Sequence, residues 1–365
     1  MRSLFFLVLL IIASSISSYK WNTADQEPLS IPLFSAAMDD TISCYRIPSL
    51  VTATNGDLIA AVDQRVSSCG DLNSNETINI VMRRSTDQGK SWSAIAPIVD
   101  FPEGQSASDP SMIVDPVTET IFLFYNFMDL RRSKNQYQFH LIKSNDHGRS
   151  WSAPEDITNQ ITKKEWLTDF KFITSGRGSV TKSGELLHTM VNLKRGLFVF
   201  GSKDHGNSWY LKPTSIQPAD ESKIIEVADG ELMINSRVNG AGYRYVHRSI
   251  DQGLSWNSSL DLTLRDPGCN ATLISYPLSS NKAPQHLLLF ANSNSSNDRI
   301  NLTVRVSYDQ GRTWSKGKTI YRGSSAYSSM TVLTNGDIGL LFEKDAYSRI
   351  EFVRFSLKWL TTDHD

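Results

Sequence analysis

Short β-rich runs of alternating apolar and polar residues recur along the chain in pairs. Four pairs are joined by a tight Asn-Gly, Ser-Gly or Asp-Gly turn: "LVTATNGDLIAAVDQR", "SVTKSGELLHTMVN", "IIEVADGELMINSR" and "MTVLTNGDIGLLFE". Such turns are the strongest short-range signal for a β-hairpin. Two further pairs, "SMIVDPVTETIFLFY" and "TLISYPLSSNKAPQHLLLFAN", have a longer loop in place of the turn. The pattern therefore predicts six β-hairpins.

A third β-rich run follows each hairpin, and five of these runs lead directly into a repeated box. The boxes read "RSTDQGKSW", "KSNDHGRSW", "GSKDHGNSW", "RSIDQGLSW" and "VSYDQGRTW", and the sixth run, "IEFVRFSL", has none. Their serines, 47 to 59 residues apart, are Ser85, Ser144, Ser202, Ser249 and Ser307. A unit of about 50 residues has the size of a four-stranded propeller blade. We therefore predict an all-β, six-bladed β-propeller with four-stranded antiparallel blades over residues 40–360.

The box itself could be a catalytic site, a metal-binding loop or a structural unit. It begins like a calcium loop but lacks the regularly spaced oxygen ligands and the final Glu that such a loop needs. Its Asp can accept hydrogen bonds from turn N–H groups, its Gly can supply positive φ, and its Trp can fill the blade. Strand polarity places every box on one face, the lower face, together with the hairpin turns. We interpret the box as structural.

The N-terminal residues and the N-x-[ST] sequons suggest export. An apolar run of nine residues from Leu4 follows Arg2 and precedes small residues, which is typical of a signal peptide over residues 1–18, although an uncut N-terminal anchor would have the same pattern. Residues 19–39 are then a lead-in and 361–365 a tail. Five N-x-[ST] sequons, at Asn75, Asn257, Asn270, Asn294 and Asn301, fit a secreted or cell-surface glycoprotein.

Net charge and motif content argue against a nucleic-acid-binding, metal-dependent or nucleotide-dependent function. The 365 residues have a formal net charge of −1, which gives no argument for a nucleic-acid partner, and nothing points to an obligatory protein partner. The chain has no HExxH, CxxC or P-loop motif, and its seven His are scattered. We therefore expect no metal and no cofactor.

Charged residues collect where first strands begin and second strands end, and both kinds of position belong to the opposite, upper face. First-strand starts hold Arg46, Asp109, Arg177, Glu221 and Tyr327, whereas second-strand ends and the loops after them hold Arg65, Asp71, Arg237, Arg299 and Glu343. One such residue alone is usually a solvated rim residue. Several guanidinium groups around one mouth instead favour a planar anion such as a carboxylate, because bidentate pairing with Arg is strong, and a phosphate is the alternative ligand.

The ordered set of motifs resembles the exo-α-sialidase (neuraminidase) family. The resemblance rests on "YRIP", "SCGD", the five Asp boxes (BNR repeats), "DESKIIEVADGELMINSR", "DRINLTVRVSYDQGRTW" and "SSAYSSM", and it covers nearly the whole chain after residue 18. It implies a glycoside hydrolase that removes terminal sialic acid from glycoproteins, glycolipids and oligosaccharides. Sialylated glycoconjugates are then its expected partners.

The resemblance also implies a role for most of the upper-face residues. Tyr327 is the expected nucleophile, Glu221 its activating base and Asp71 the acid/base at the glycosidic oxygen. Substrate-binding roles fall on Arg46, Arg237 and Arg299 at the sialic acid carboxylate and on Arg65 and Asp109 at the O4 region, while Glu343 supports Arg46. Arg177 receives no role. Glu226 and Glu231 are poorer candidates for the base, because Glu226 lies inside a strand and Glu231 follows a lower-face turn.

A neutral phenol suits this substrate, since the anomeric carbon of sialic acid carries a carboxylate that would repel an anionic nucleophile. The expected course is retention through a covalent tyrosyl-sialyl intermediate. Alternatives are a trans-sialidase, in which a sugar acceptor replaces water, and a sialic-acid-binding propeller without catalysis.

The cysteines offer one further prediction. Cys44 and Cys69 each lie two residues before an expected site residue, Arg46 and Asp71. If those residues meet, the cysteines are neighbours as well. We predict a Cys44–Cys69 disulfide, with a free pair as the alternative.

Overall fold

Nearly all regular structure in the chain is β-strand. A computed structural model describes residues 27–362 apart from 134–135, 229 and 279–284. The predicted signal peptide and Asp229 of one predicted hairpin turn lie outside these residues. The predicted all-β class is confirmed. In the described ranges, no helix has both the length and the apolar character needed to cross a membrane.

The described residues contain twenty-five strands and two short α-helices. The first twelve strands are β1 (Leu29–Ser35), β2 (Cys44–Thr52), β3 (Leu58–Arg65), β4 (Ile78–Ser85), β5 (Ala96–Val99), β6 (Gln105–Val114), β7 (Ile121–Asp129), β8 (Gln138–Ser144), β9 (Glu155–Asp156), β10 (Lys171–Ile173), β11 (Gly176–Arg177) and β12 (Ser179–Val180). The others are β13 (Leu186–Asn192), β14 (Gly196–Ser202), β15 (Tyr210–Leu211), β16 (Ser222–Ala228), β17 (Glu231–Ser236), β18 (Tyr243–Ser249), β19 (Asn257–Arg265), β20 (Thr272–Leu278), β21 (Gln285–Ser293), β22 (Ile300–Ser307), β23 (Lys318–Val332), β24 (Ile338–Lys344) and β25 (Arg349–Phe355). The helices are α1 (Thr158–Ile161) and α2 (Leu357–Thr361), with 3₁₀ turns at Ala36–Met38 and Lys164–Trp166.

Four sheets follow the predicted unit of a hairpin, a third strand and a strand after the box. Their strand orders are β2-β3-β4-β5, β11-β6-β7-β8-β9, β10-β13-β14-β15 and β16-β17-β18-β19. Consecutive strands are antiparallel, so that Cys44 at the start of β2 lies opposite Arg65 at the end of β3. The glycines of the predicted tight turns have positive φ, for example +92° at Gly56 and +85° at Gly336. The hairpins whose turns are described therefore form as the sequence pattern predicts.

The fifth sheet has seven strands, in the order β1-β25-β24-β23-β22-β21-β20. It is continuous because β23 is 15 residues long and pairs through its first half with β22 and through its second half with β24. Its outer edge is β1, which pairs antiparallel with β25. The sequence analysis assigned residues 19–39 only to a lead-in. The strand at Leu29–Ser35 has no hairpin partner nearby in sequence, and Pro32 weakens its strand pattern while suiting an edge position.

The first strands of successive units contact one another in order. β2 contacts β6, β12 contacts β16, β16 contacts β20, and β20 contacts β23, which in turn contacts β2. The apolar core lies between neighbouring sheets rather than at this centre. One cluster, for example, joins Ile113 and Phe122 of the second unit to Leu186 and Phe200 of the third. The starts of the first strands therefore converge at one end of the molecule.

The first strand of the third unit is interrupted. β10 and β12 pair antiparallel with β13, but β11 between them pairs in parallel with β6 of the preceding unit. Gly176, with φ +101°, permits this departure. As a result, the Arg177 guanidinium Nη1 donates to the carbonyl oxygen of Met330, at 2.8 Å.

The boxes are compact turns held by the side chains of their own Ser and Asp. In the first, Ser85 Oγ donates to Asp87 Oδ1 (2.8 Å) and accepts from the N–H of Gly89 (2.9 Å), while Asp87 also accepts from the N–H and the hydroxyl of Ser91. Gln88 and Gly89 have φ of +64° and +79°. Gln88 Nε2 also donates to Thr334 of a neighbouring hairpin turn (2.8 Å). The box thus joins adjacent units at the lower face.

Two of the five sequons lie in the interior. The Asn75 side chain is 1 % exposed and donates to the carbonyl oxygen of Ser68, and Asn270 is 2 % exposed and donates to Ser175 Oγ. Asn257 on the edge strand β19 is exposed, and Asn294 and Asn301 are partly exposed. Only these three present an asparagine that a glycan could occupy in the folded protein.

Candidate active site

A cavity of about 480 Å³ opens at the upper face, where the first strands converge. Eight of the predicted site residues line it, and the ninth, Glu343, lies directly behind Arg46. The eight are Arg46, Arg65, Asp71, Asp109, Glu221, Arg237, Arg299 and Tyr327. Residues separated by up to about 280 positions in the chain therefore share one pocket.

Backbone irregularities aim three of these side chains into the cavity. The strand pairing shifts next to Arg46 in β2, around Asp109 in β6 and around Tyr327 in β23. Asp109 itself has φ +63°, and Ile47, next to Arg46, has φ +58°. A bulge re-aims a side chain and interrupts regular alternation, which is why bulges are common beside active sites.

Tyr327 and Glu221 are in direct contact. The Tyr327 hydroxyl donates to Glu221 Oε2 at 2.6 Å. Arg237 Nη1 donates both to the same carboxylate oxygen, at 2.5 Å, and to the Tyr327 hydroxyl oxygen, at 3.1 Å. A phenol, a carboxylate and a guanidinium thus form a closed triangle, in which the carboxylate is placed to accept the phenol's proton.

The surroundings keep Tyr327 neutral. Burial and then the negative charge of Glu221 raise the pKa of Tyr327 well above its ordinary value, and the Arg237 charge opposes them only in part. The phenol therefore holds its proton until Glu221 accepts it.

Three guanidinium groups surround the Tyr327 ring. In addition to Arg237, the Cζ atoms of Arg46 and Arg299 lie 5.9 and 5.6 Å from the ring centroid. Arg299 Nη1 donates to the Tyr347 hydroxyl (3.1 Å), and the Arg46 guanidinium stacks on the Tyr347 ring at 4.0 Å. Tyr347 therefore holds two of the three arginines in place.

Glu343 fixes Arg46 from behind the cavity. Its carboxylate accepts from Arg46 Nε (2.8 Å) and from the backbone N–H groups of Ile47 (2.9 Å) and Tyr327 (3.2 Å). Burial disfavours the charged form of Arg46, but the charge of Glu343 and the hydrogen bond to it, together with Tyr327 and Tyr347, outweigh burial and raise the pKa of Arg46. One carboxylate thus keeps the first arginine charged and ties it to the strand that carries the tyrosine.

Asp71 lies at the rim, with its side chain 76 % exposed. Arg65 Nη1 donates to Asp71 Oδ1 at 2.8 Å, and Arg46 lies 3.8 Å away. Desolvation raises the pKa of Asp71, but the charge and hydrogen bond of Arg65, followed by the charge of Arg46, bring it below the ordinary value. The predicted disulfide between Cys44 and Cys69 is confirmed, and it ties the loop that carries Asp71 to the strand that carries Arg46.

Asp109 lines the cavity next to the buried Asp63. It is surrounded by Asn126, which donates to its carboxyl group (2.9 Å), and by Asp63, which accepts from its backbone N–H (3.0 Å). Burial and the charges of Asp63 and Glu221 raise its pKa well above the ordinary value. These surroundings favour the protonated form of Asp109, which can donate a hydrogen bond to a hydroxyl group of a ligand.

Several residues at the cavity were not predicted. Tyr347 and the pair Asp220 and Asn239, which position Arg237 through Asn239 Oδ1 (2.8 Å), belong to loops beyond strand ends. Tyr347 follows β24, so the rule that second strands end at the upper face could have found it. An apolar wall comes from loops whose sequences carry no site signal: Leu72, Tyr137, Phe170, Phe172 and Leu193.

The remaining candidates lie elsewhere. Arg177 does not line the cavity and donates to a main-chain carbonyl group near the axis. Glu226 accepts from the N–H groups of Lys182 and Gly230, and Glu231 pairs with Arg248 (2.8 Å), so both serve lower-face structure. Among the residues that the structure describes, no three His, Cys, Asp or Glu are grouped so as to hold a metal ion.

Comparisons with known proteins identify the family of the chain. The family model of the BNR repeat-like domain matches residues 56–340. A sialidase of Bacteroides fragilis is 31 % identical over 339 residues (84 % of this chain and 61 % of that protein), and one of Micromonospora viridifaciens is 33 % identical over 350 residues (87 % and 52 %). The chain therefore spans between half and two thirds of the length of these two relatives.

Solved structures extend the comparison to the fold. A Hadza microbial sialidase superposes with a TM-score of 0.80 at 31 % identity, and the match covers 90 % of this chain and 68 % of that one. The arrangement of sheets is thus that of a β-propeller. The family model matches most of the chain, the sequence identity is 31 %, and the ordered motifs surround the cavity. The chain therefore belongs to the BNR-repeat sialidase family.

Proposed function

We propose that the protein is a retaining exo-α-sialidase, which hydrolyses terminal sialic acid from glycoconjugates. The observation that carries the proposal is the 2.6 Å hydrogen bond from the Tyr327 hydroxyl to Glu221, formed between three arginines. A neutral nucleophile with its own base, inside a cationic pocket, fits a substrate whose reacting carbon bears a carboxylate.

The arginines would bind that carboxylate. All three keep their charge, because neighbouring groups raise the pKa values of Arg46, Arg237 and Arg299 although burial opposes this. Each charge-assisted hydrogen bond contributes roughly 1.5–3 kcal/mol. Because the three surround the Tyr327 ring, a carboxylate between them would set the anomeric carbon next to the phenol oxygen.

The first chemical step would form the covalent intermediate. As the Tyr327 oxygen bonds to the anomeric carbon, its proton passes to Glu221, and the bond between the anomeric carbon and the glycosidic oxygen breaks. Asp71 in its protonated form, which acidic pH favours because Arg65 lowers its pKa, gives its proton to the departing oxygen, which leaves as the hydroxyl group of the remaining glycan. Asp71 lies at the open rim, where a leaving group of variable size can be accommodated.

The second step would restore the protein. Asp71, now a carboxylate, takes a proton from water as the water oxygen attacks the anomeric carbon, and the bond to Tyr327 breaks. Glu221 returns its proton to the phenol. Two displacements at the same carbon give net retention of configuration. At the other side of the ring, Arg65 and Asp109 would bind the O4 region through the guanidinium and the carboxyl group that line the cavity there.

Two further features belong to the same proposal, namely the number of blades and export from the cell. We infer that the ring has six blades, with the seven-stranded sheet contributing the last two through the shared strand β23, and with β1 completing the sixth. We also infer export, supported by the apolar N-terminal run, by the disulfide, which is typical of oxidising compartments, and by the exposed sequon at Asn257.

The experiment that tests the function uses the whole purified protein. Turnover of a fluorogenic sialoside should be measured from acidic to neutral pH for the parent and for Glu221→Gln, which keeps the shape of the side chain but cannot take the proton. We expect turnover by the parent and a loss of about 10²–10⁴-fold in the variant. A parent that turns over no sialoside at any of these pH values contradicts the proposal.

Following the product by NMR separates the alternatives. Initial release of the α anomer supports retention, whereas initial release of the β anomer contradicts it. Adding lactose and testing for sialyl-lactose distinguishes transfer from hydrolysis, because both begin with the same intermediate. Binding of sialyl-lactose without any turnover would instead identify a lectin.

A further inference from the structure

A second cavity, of about 650 Å³, lies beside the catalytic pocket. Asp129, the last residue of β7, lines it, so it belongs to the upper face as well. Tyr137 lines both cavities, and its ring lies 5.0 Å from that of Phe170 in the catalytic pocket. The two spaces are therefore neighbours across a thin wall.

The short strand β10 and the residue before it form this wall. Phe170 and Phe172 line the catalytic pocket, whereas Lys171 between them lines the second cavity. Alternation along an extended backbone explains the division, because successive side chains point to opposite sides. A single segment thus presents an apolar surface to the catalytic pocket and a cation to its neighbour.

Lys171 is buried over the ring of Phe139, and the charge of Asp169 attracts it only from beyond ion-pair distance. Lys171 is only 3 % exposed, yet its ammonium group forms no hydrogen bond and no ion pair with any residue that the structure describes. The other buried lysines of the described ranges do have partners. Lys212 lies 3.1 Å from Glu185, and Lys223 donates to Ser175 and Asn270 at 2.8 Å. A buried cation that lacks such partners indicates a ligand that is absent from the structure.

The charged residues that line the rest of the cavity are mostly cations. Lys163, Lys164 and Arg132 line it, together with the carboxylates of Asp129 and Asp156. The carboxylate of Asp129 is already paired with arginines, with Nε of Arg131 at 3.2 Å and Nε of Arg132 at 3.5 Å. The cavity therefore has an excess of positive charge that would attract an anion.

The cavity also lies on the side from which the leaving glycan would extend. Leu72, the residue after Asp71, packs in the same apolar cluster as Tyr137 and Phe170. Because Asp71 would protonate the oxygen of the leaving group, the sugars of that group begin next to this cluster. A chain of sugars that passes Tyr137 would reach Lys171.

We propose that the second cavity binds an anionic group carried on the glycan next to the sialic acid that is cleaved, with Lys171 as its principal cation. The chemistry required is a carboxylate or a sulfate ester at a hydrogen-bonding distance from a buried ammonium group. The inference rests on the proposed sialidase function, since it assigns a substrate preference to the same site.

The test compares matched substrates in the parent and in Lys171→Met. Methionine keeps the length of the apolar stem but removes the charge. The substrates are 3′-sialyllactose, its sulfated derivative and a disialylated lactose with an internal sialic acid. We expect Lys171→Met to lower kcat/KM for the two doubly charged substrates by roughly tenfold or more, and to leave kcat/KM for 3′-sialyllactose within about twofold. Sulfate and carboxylate sources are separated because each is a different substrate.

A matched control is Lys212→Met, which also removes a buried lysine but lies away from the second cavity. It should lower the melting temperature, because it leaves Glu185 unpaired, and should not change the substrate preference. Lys171→Met should retain or raise the melting temperature. An equal loss of kcat/KM on all three substrates, or no loss on the doubly charged ones, overturns the proposal.

The experiment also distinguishes failure of the sialidase proposal from failure of the anion-site proposal. If the parent cleaves none of the substrates, the sialidase proposal fails, and the cavity is tested by calorimetric titration with sulfated lactose, which contains no sialic acid. Tighter binding by the parent than by Lys171→Met supports the anion site. Equal binding by both proteins, or no binding by either, overturns it.

Discussion

The two faces of the molecule use the same kind of residue, a carboxylate, in different ways. At the lower face, Asp87 accepts from Ser85, from the Ser91 N–H and from the Ser91 hydroxyl, all neutral donors within one turn of chain. At the upper face, Glu343 is bound by Arg46, which is 297 residues away in the chain, and Asp71 is bound by Arg65, which is six residues away. Neutral donors from nearby residues stabilise a turn, whereas several arginines around one cavity create a positive electrostatic potential there. Repetition therefore marks structure here, and the residues for chemistry occur once each.

The largest effect is expected from a change at Tyr327, the proposed nucleophile of the upper face. Tyr327→Phe keeps the ring between the arginines and removes only the hydroxyl group bonded to Glu221. We expect kcat to fall by more than about a thousandfold with a melting temperature close to that of the parent. Steady-state kinetics and calorimetry measure the two effects. Activity within tenfold of the parent would exclude Tyr327 as the nucleophile.

Asp71 offers a second, more selective test. Asp71→Asn removes the proton donor, so loss of kcat should depend on how much help the leaving group needs. We expect a loss of about 10²–10⁴-fold on sialyl-lactose and a much smaller loss on a fluorogenic sialoside with an acidic phenol as leaving group. The ratio of the two rates is the measurement. Equal losses on both substrates would contradict a role for Asp71 as the acid.

The support of Arg46 should have an intermediate effect. Glu343→Gln preserves one acceptor but removes the charge that faces Arg46 and the shared contact with the Tyr327 strand. We expect kcat/KM to fall roughly tenfold, mainly through a higher KM, because the first arginine binds substrate in both ground and transition states. An unchanged KM would show that Arg46 is positioned without Glu343.

A lower-face variant should show the opposite behaviour. Asp87→Asn can still accept from the Ser91 N–H, but its amide group cannot accept from the Ser91 hydroxyl as Oδ2 does. We expect about 1–2 kcal/mol less stability, seen as a melting temperature lower by a few degrees, with kcat and KM unchanged. A change in kcat/KM without a change in stability would contradict the structural interpretation of the box.

The smallest effect concerns pH. Hydrogen bonds from Ser91, first from its hydroxyl and then from its N–H, lower the pKa of Asp87 to about 2. Because the folded-state pKa is depressed, the stabilisation is present above the ordinary aspartate pKa and is lost as pH falls towards about 2. The melting temperature of the parent should therefore fall more steeply over this acidic range than that of Asp87→Asn. Parallel curves would show that Asp87 does not contribute.

The sequence predicts those parts of the molecule that depend on local pattern. Tight Gly turns and repeated boxes define the hairpins and their polarity, and polarity alone assigns Arg46, Glu221 and Tyr327 to one face. The family resemblance adds roles that no pattern contains. The Cys44–Cys69 disulfide followed from the predicted meeting of two site residues.

What the sequence does not predict depends on contacts between distant segments. The bulges that aim Asp109 and Tyr327 each change the register by one residue without a distinct sequence signal. β1 pairs with β25, more than 300 residues away, and only tertiary packing selects that partner. Arg177 follows the rule for first-strand starts, yet the interruption of its strand moves it out of the pocket.

The central claim is that Tyr327 attacks the sugar, and chemical trapping tests it most directly. A sialosyl fluoride with a second fluorine at C3 reacts through the first step without needing an acid, and the C3 fluorine slows the second step. Peptide mass spectrometry of the trapped protein should find the fluorosialyl mass on Tyr327, and no such label on the Tyr327→Phe variant. A label on a carboxylate instead, or no label on a parent protein that turns over sialosides, would contradict the account.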